Sequence, residues 1–468
     1  MNIYKPALVS VIIVVLSACV IPNNVTSPMP ITITPSLVAP TSIPRQLTCT
    51  DLDSAWTTAD WPTVIQVLED LRTSGVPCGA NTLTSKLYAA HINYAVSLEN
   101  SGNQAGAIRE YQIALVANGR GKEALNALVR LNAQPAPPSC APAQLNEYLP
   151  PTTTSPDDFV SSNGFELSVN RQMLVARGVN YYPRHAPWER FITDSNLDEV
   201  AQELDVIASA GFNTLRIFLW HDPLFTCAPE TATPNTAAFV KLDAFIALAR
   251  ARGFRLIITL NDLPDLLFHP LYTDWAHYDA QTTFIVKRYR DDPTILAWDL
   301  RNEGDLDYGA SPGIQGGFSR DTVLAWLSHI AGVVRANDNH HLLTAGWWGD
   351  ASETANFVDI LSFHYWKDAH ELVERINGLQ SNSHLPIVLE EVGYSSLGNN
   401  GEEVQAASLG STLSVAEQEN LAGWLIWTAF DFLPPAGQLP NVEHLFGLWR
   451  NDLTPKPALY ALPPLKSP

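Results

Sequence analysis

Short apolar runs alternate with amphipathic stretches through the C-terminal two thirds of the chain. The apolar runs are Gly178 to Tyr182, Thr214 to Leu219, Arg255 to Leu260, Ile295 to Leu300, His341 to Ala345, Ile360 to His364, Ile387 to Leu389 and Gly423 to Trp427. They are short and mostly apolar, as strands buried on both faces are. Between them Leu197 to Ala210, Ala237 to Arg252, Ala280 to Arg290, Thr322 to Ala336 and Glu403 to Leu421 carry helical spacing. This alternation predicts an α/β fold, a (β/α)8 TIM barrel, over 159–468. A doubly wound open sheet is the alternative, but it needs a Gly-rich turn after an early strand, which the chain lacks. Ahead of the first run, Phe165 to Val169 and Met173 to Val175 flank Asn170-Arg171 and predict a hairpin.

The first 158 residues read differently. Trp56, Val64, Leu68 and Leu71, then Leu87, Ala90, Tyr94 and Leu98, recur at three- and four-residue spacing and predict a small all-α domain over 49–133. Leu98, Gly102, Ala107, Ile108, Tyr111 and Ala114 make 87–115 resemble a tetratricopeptide-type helical hairpin, which leaves room for a protein partner, although a packing role is the plainer reading. Residues 134–158 bring seven prolines and a Thr run, a linker, and 20–48 form a Pro/Thr/Ser tether. Before it, Lys5, the apolar run Ala7 to Leu16 and the sequence Leu16-Ser17-Ala18-Cys19 read as an export signal too short to span a membrane. The ending resembles a lipobox, so Cys19 is expected to be lipidated and to hold the exported protein on a membrane, with a simply cleaved signal as the alternative. Cys49, Cys78, Cys140 and Cys227 remain, and an oxidising compartment lets them pair in three ways, of which Cys49 with Cys78 is preferred.

Composition narrows the chemistry. Against 28 Lys and Arg stand 48 Asp and Glu, a net charge of -20 that repels phosphate backbones and argues against a nucleic-acid partner. Thirteen Trp and fourteen Tyr suit stacking on sugar rings, so a neutral carbohydrate fits better. The cysteines lack zinc spacing, so no metal and no cofactor are expected, and the protein is expected to be a monomer.

In a barrel of this kind, polar residues just past a strand's C-terminal end face the active site. The fourth run ends in Arg301-Asn302-Glu303 and the seventh in Glu390-Glu391-Val392-Gly393, so two carboxylates reach one mouth from opposite sides. Neighbouring strand residues point to opposite faces, so one of Glu390 and Glu391 should face the axis. The Glu-x-Gly context favours Glu391. Paired carboxylates across a cleft are what glycosidic hydrolysis needs.

These residues resemble the clan A glycoside hydrolases, most closely glycoside hydrolase family 5, over about 165–460. Asn302-Glu303 is similar to the family's Asn-Glu pair, implying Glu303 as general acid/base. Glu391-Val392-Gly393 is similar to its Glu-aromatic-Gly, implying Glu391 as nucleophile. Arg216, in Asn213-Thr214-Leu215-Arg216, stands where the family's arginine keeps the nucleophile ionised. His364-Tyr365-Trp366 is similar to its His-x-Tyr, with Trp366 in the tyrosine's place, which leaves the tyrosine's bond to the nucleophile to Tyr365 or to nothing. The same segment is similar to the His-x-Trp of β-mannanases. Trp427 matches a sugar-stacking tryptophan, and Leu260-Asn261-Asp262 stands where many family cellulases have a histidine. The resemblance thus implies a retaining hydrolase of β-linked glucan or mannan chains, with Glu303 and Glu391 catalytic, Arg216, Asn302, Asp262, His364, Tyr365, Trp366 and Trp427 binding substrate, and carboxyl groups about 5 to 5.5 Å apart. A catalytically silent surface lipoprotein, binding glycans or assembling partners, is the competing reading; it requires one glutamate displaced from the cleft.

Overall fold

In a computed structural model of the chain, the described residues are 48–74, 78, 83–118, 121–133, 145–153, 155–188, 190–226, 233–262, 271–272, 275–308, 317–398, 401–434 and 439–465. Cys19, Cys140 and Cys227 lie outside them. Among the described residues no helix is long and apolar enough to cross a membrane.

Helices Cys49–Thr57, Trp61–Ser74, Leu83–Asn100, Gln104–Ala117 and Lys122–Arg130 make up the N-terminal region. Cys49 and Cys78 form a disulfide. The third and fourth helices turn back on each other at Gly102, whose φ of 82° needs a residue without a Cβ. They pack through Ala95, Ala107, Tyr111 and Ala114, small residues around one aromatic ring.

The eight apolar runs all form parallel strands: β1 (Ala176–Asn180), β2 (Thr214–Phe218), β3 (Arg255–Thr259), β4 (Ile295–Asp299), β5 (Leu342–Thr344), β6 (Leu361–Tyr365), β7 (Ile387–Val392) and β8 (Gly423–Ile426). Their ladder runs β5-β4-β3-β2-β1-β8-β7-β6. A parallel bridge between Trp347 and Phe363 joins the two ends, so the sheet closes into a barrel. Caps set where several helices begin. Asn196 accepts from Asp198 N, Asn235 from Ala237 N and Ala238 N, and Ser319 from Thr322 N, starting Leu197–Ser209, Thr236–Ala251 and Arg320–Asn337.

Outward side chains such as Leu215, Ile217, Ile258, Trp298, Phe363, Leu389 and Ile426 bury themselves against these helices, each worth roughly 1.5–3 kcal/mol. The inner lining is apolar only at the N-terminal end. There Ile257, Leu296, Val388 and Leu425 meet Val160 and Leu167 from a small antiparallel sheet. That sheet holds the expected hairpin, Glu166–Val169 with Gln172–Leu174, turned on Asn170 and Arg171, both at positive φ. It adds Ser161–Asn163, a polar strand without a sequence signal. Toward the other end the lining turns polar, with Arg216, Thr259, Asp299, Thr344, Ser362 and His364 all buried.

Candidate active site

Glu303 is held by its backbone. Past the end of β4, Asn302 N donates to Asn261 O and Glu303 N to Gly346 O, which ties the turn to the ends of β3 and β5. Beneath it the buried Arg301 pairs with Asp307 at 2.7 Å. Glu303 itself sits at φ 48°, in the left-handed region that a side-chain-bearing residue enters only at a cost. An unfavourable conformation kept at a buried carboxylate is a functional signal.

On β7 the structure corrects the alternation argument. The pairing with β6 runs Phe363 to Leu389 and then His364 to Glu391, so Glu390 is skipped. The ladder with β8 slips at the same place. This β-bulge removes the two-residue period locally, and both glutamates enter the barrel. Glu391 reaches the mouth, whereas Glu390 lies behind it, fully buried.

Arg216 ties the site together. Its Nη1 donates to Glu391 Oε1 at 2.6 Å and to Asn180 Oδ1 at 3.1 Å, its Nη2 to Asp299 Oδ2 at 2.6 Å and Asn302 Oδ1 at 2.9 Å. Its Cζ lies 4.5 Å from the Phe218 ring centre. Thr259 also donates to Asp299. Asn302 Nδ2 in turn donates to Asp262 Oδ1, and Tyr182 donates to Asp262 Oδ2. Burial pushes the Asp262 carboxyl up to about 6 against the pull of Arg216.

His364 stands between the two carboxylates, its Nδ1 2.9 Å from Glu303 Oε1 and 3.5 Å from Glu391 Oε2. The facing atoms of these three residues all lie within 4.8 Å of one another. One oxygen of Glu303 thus comes within 4.8 Å of one oxygen of Glu391, so both carboxylates face the same small space. Burial disfavours the imidazolium, but Glu391 and Glu303 outweigh it and raise the His364 pKa above its ordinary value.

The remaining sequence candidates divide. Trp427, only 9% exposed, meets Tyr182 and Phe218 edge-on at the top of β8. Trp366 packs on Phe446. Tyr365 does not join the site: alternation along β6 turns it outward, and its hydroxyl donates to Asp368 O at 2.5 Å. Near Glu391 stands the ring of His364 instead, its Nδ1 3.5 Å from Glu391 Oε2.

Three participants were not anticipated, and a fourth, Glu390, was set aside in favour of its neighbour. Asn180 and Asp299 are the last residues of β1 and β4, polar endings on apolar runs that could have marked them. Glu390 was hidden by the bulge. Asp305 accepts from the backbone N–H groups of Trp348, Gly349 and Asp350 and so clamps the loop after β5. Arg375 grips the same loop through Trp348 O and Gly349 O. The clamp presents Trp348, 41% exposed, two residues beyond the carbonyl that holds Glu303.

Comparison with known proteins agrees with this geometry. The family model for cellulase, glycosyl hydrolase family 5, matches residues 177–432. Mannan endo-1,4-β-mannosidase F of Aspergillus fumigatus is 27% identical over 228 residues, 42% of this chain and 48% of that protein. Mannan endo-1,4-β-mannosidase 2 of Arabidopsis thaliana is 26% identical over 225 residues, 41% and 49% of the two. The chain thus spans about half the length of these relatives. Among solved structures, a family 5, subfamily 18 protein of Streptomyces cattleya in complex with Manβ1-4GlcNAc superposes with a TM-score of 0.54 at 20% identity, covering 61% of this chain and 79% of that one. An exo-β-1,4-mannosidase of an Opitutaceae bacterium gives 0.52 at 18%, covering 62% and 58%. At such identities these two likenesses speak for the fold.

Proposed function

We propose, on the premise that the chain belongs to the cellulase family, glycosyl hydrolase family 5, that it hydrolyses β-linked polysaccharide or oligosaccharide with retention of configuration, mannan being the favoured substrate. One observation carries the reading: Glu303 and Glu391 face each other within 4.8 Å, and the Arg216 guanidinium is bonded to Glu391. The charge-assisted bond suits Glu391 as the carboxylate that attacks the anomeric carbon, while Glu303, against His364, gives its proton to the leaving oxygen. Glu303 then takes a proton from the water that releases the sugar. Asp262, Asn302 and His364 offer polar contacts, and Trp427, Trp366 and Trp348 offer aromatic faces to sugar rings. Mannan is favoured by the two mannosidase relatives and by Trp366. A silent barrel would need one glutamate displaced, and neither is.

The test is reducing-sugar release on mannan, β-glucan and xylan, with the first-formed anomer followed by NMR. Release from mannan with the β-anomer appearing first is the expected result; α-anomer first would overturn retention, and no release from any of them would overturn the activity.

We also propose export and anchoring through Cys19, motivated by the Leu16-Ser17-Ala18-Cys19 ending. Cys19→Ala should free the mature protein from membranes and remove a lipid-sized mass from its N-terminus. Mass spectrometry finding an unmodified N-terminus in the unsubstituted protein would count against it.

A further inference from the structure

The three side chains that face one another at the barrel mouth are also a ligand set. Glu303, His364 and Glu391 are buried, and each turns one donor atom into a space no wider than 4.8 Å. Among the described residues no other three histidine, cysteine, aspartate or glutamate side chains converge in this way. The donors are an imidazole nitrogen and two carboxylate oxygens, each a common zinc ligand. Around a tetrahedral zinc, neighbouring ligand atoms stand roughly 3.4 Å apart, given bonds of about 2.0–2.2 Å. His364 Nδ1 lies 2.9 Å from Glu303 Oε1 and 3.5 Å from Glu391 Oε2, so side-chain shifts of about 1 Å seat the ion. Glu391 supplies an oxygen to spare: Arg216 holds Oε1, while Oε2 accepts no hydrogen bond among the described residues. That buried oxygen without a donor, set toward the imidazole, is the atom a cation would claim.

Resting on the reading of Glu303 and Glu391 as the catalytic pair, we propose that Glu303, His364 and Glu391 bind a zinc ion, which excludes the sugar and silences the enzyme reversibly. The ion is an inhibitor here and takes no part in hydrolysis. It bonds to the lone pairs with which Glu391 attacks and Glu303 exchanges its proton, and water completes its shell on the cleft side. A proton carried by Glu303 or by His364 Nδ1 leaves to solvent as the bonds form.

Charge and donor type set what the site accepts. His364 faces Glu303 from the turn after β4, Glu391 and Glu390 from β7 and Arg216 from β2. Burial opposes its cation, but the glutamates outweigh burial and favour it, so the ion competes with a proton and should bind more tightly as the pH rises. Calcium and magnesium prefer shells made wholly of oxygen and should not compete, whereas copper(II) should bind more tightly than zinc.

Calorimetric titration of the full chain with zinc chloride should find one saturable site, with magnesium chloride giving none. His364→Ala and Glu303→Gln should each weaken zinc binding at least about tenfold, the least that loss of even an outer-shell partner costs. On the unsubstituted enzyme, zinc should inhibit in competition with the glycoside, and EDTA should restore the rate. Absence of saturable binding, binding that both substitutions leave unchanged, or inhibition that does not compete with the sugar would overturn the proposal. X-ray absorption at the zinc edge of the unsubstituted protein guards against a misfolded variant. One imidazole among oxygen ligands is expected there, and a shell with none or with several would overturn the proposal. Zinc bound through these residues in a chain that turns over no β-glycoside would overturn the catalytic reading and leave the site standing.

Discussion

Glu391→Ala should lower kcat by on the order of 10⁵-fold or more while leaving sugar binding measurable, as removal of a covalent nucleophile does. The neighbouring Glu390 cannot take over, because the bulge seats it behind Glu391, with the nearer oxygen 3.8 Å from Arg216 Nε. The fold should survive, since Arg216 keeps its pair with Asp299 and its bonds to Asn180 and Asn302. Binding should survive too, because Asp262 and Trp427 are untouched. Steady-state kinetics on an aryl glycoside, beside calorimetric titration with the oligosaccharide, separates the two effects. Azide offers a further check, since a small anion can enter the space left by the side chain and attack from the same face, giving an α-glycosyl azide. Undiminished hydrolysis by Glu391→Ala would sink the assignment.

Arg216→Ala should act first on the fold. Its guanidinium lies at the centre of Asp299, Glu391 and Glu390, all buried, and is fully buried itself. Removing one partner of a buried ionic group leaves uncompensated charge, a cost of about 3–5 kcal/mol. For a barrel of this size the melting temperature should fall by on the order of 10 °C, and scanning calorimetry reads it directly. Arg216→Lys should recover part of the stability, because the charge returns, but not the activity. An ammonium group cannot reproduce the planar fork that serves Asn180, Glu391, Asp299 and Asn302 at once. A melting temperature unchanged in Arg216→Ala would mean that the cluster balances its charge without this residue.

The strands were legible because parallel strands buried on both faces leave continuous apolar runs, and all eight sit where those runs lie. Glu303 was legible for a related reason, as a polar ending on a buried run. Glu390 was not. A β-bulge is one residue of slippage between two ladders, and nothing in the order Leu389-Glu390-Glu391-Val392 marks it. Tyr365 was misplaced in the opposite way: it stands one position from His364, and strict alternation on β6 sends it to the helices. The Asp305 clamp was illegible because its partners are backbone N–H groups on another loop, 43 to 45 positions away. Sequence shows which side chains a strand carries; which of them meet depends on register and loop path.

Glu303's left-handed backbone sets heat tolerance against turnover at a single position. Glycine adopts a φ near 48° without the steric cost of a Cβ, a relief of about 1 kcal/mol. It would also spare the barrel a buried carboxyl group. Selection for melting temperature alone would therefore favour Glu303→Gly and with it discard the proposed proton donor. The glutamate can persist only where lineages are screened for what they cleave, so a thermostability library built on this chain should hold position 303 invariant.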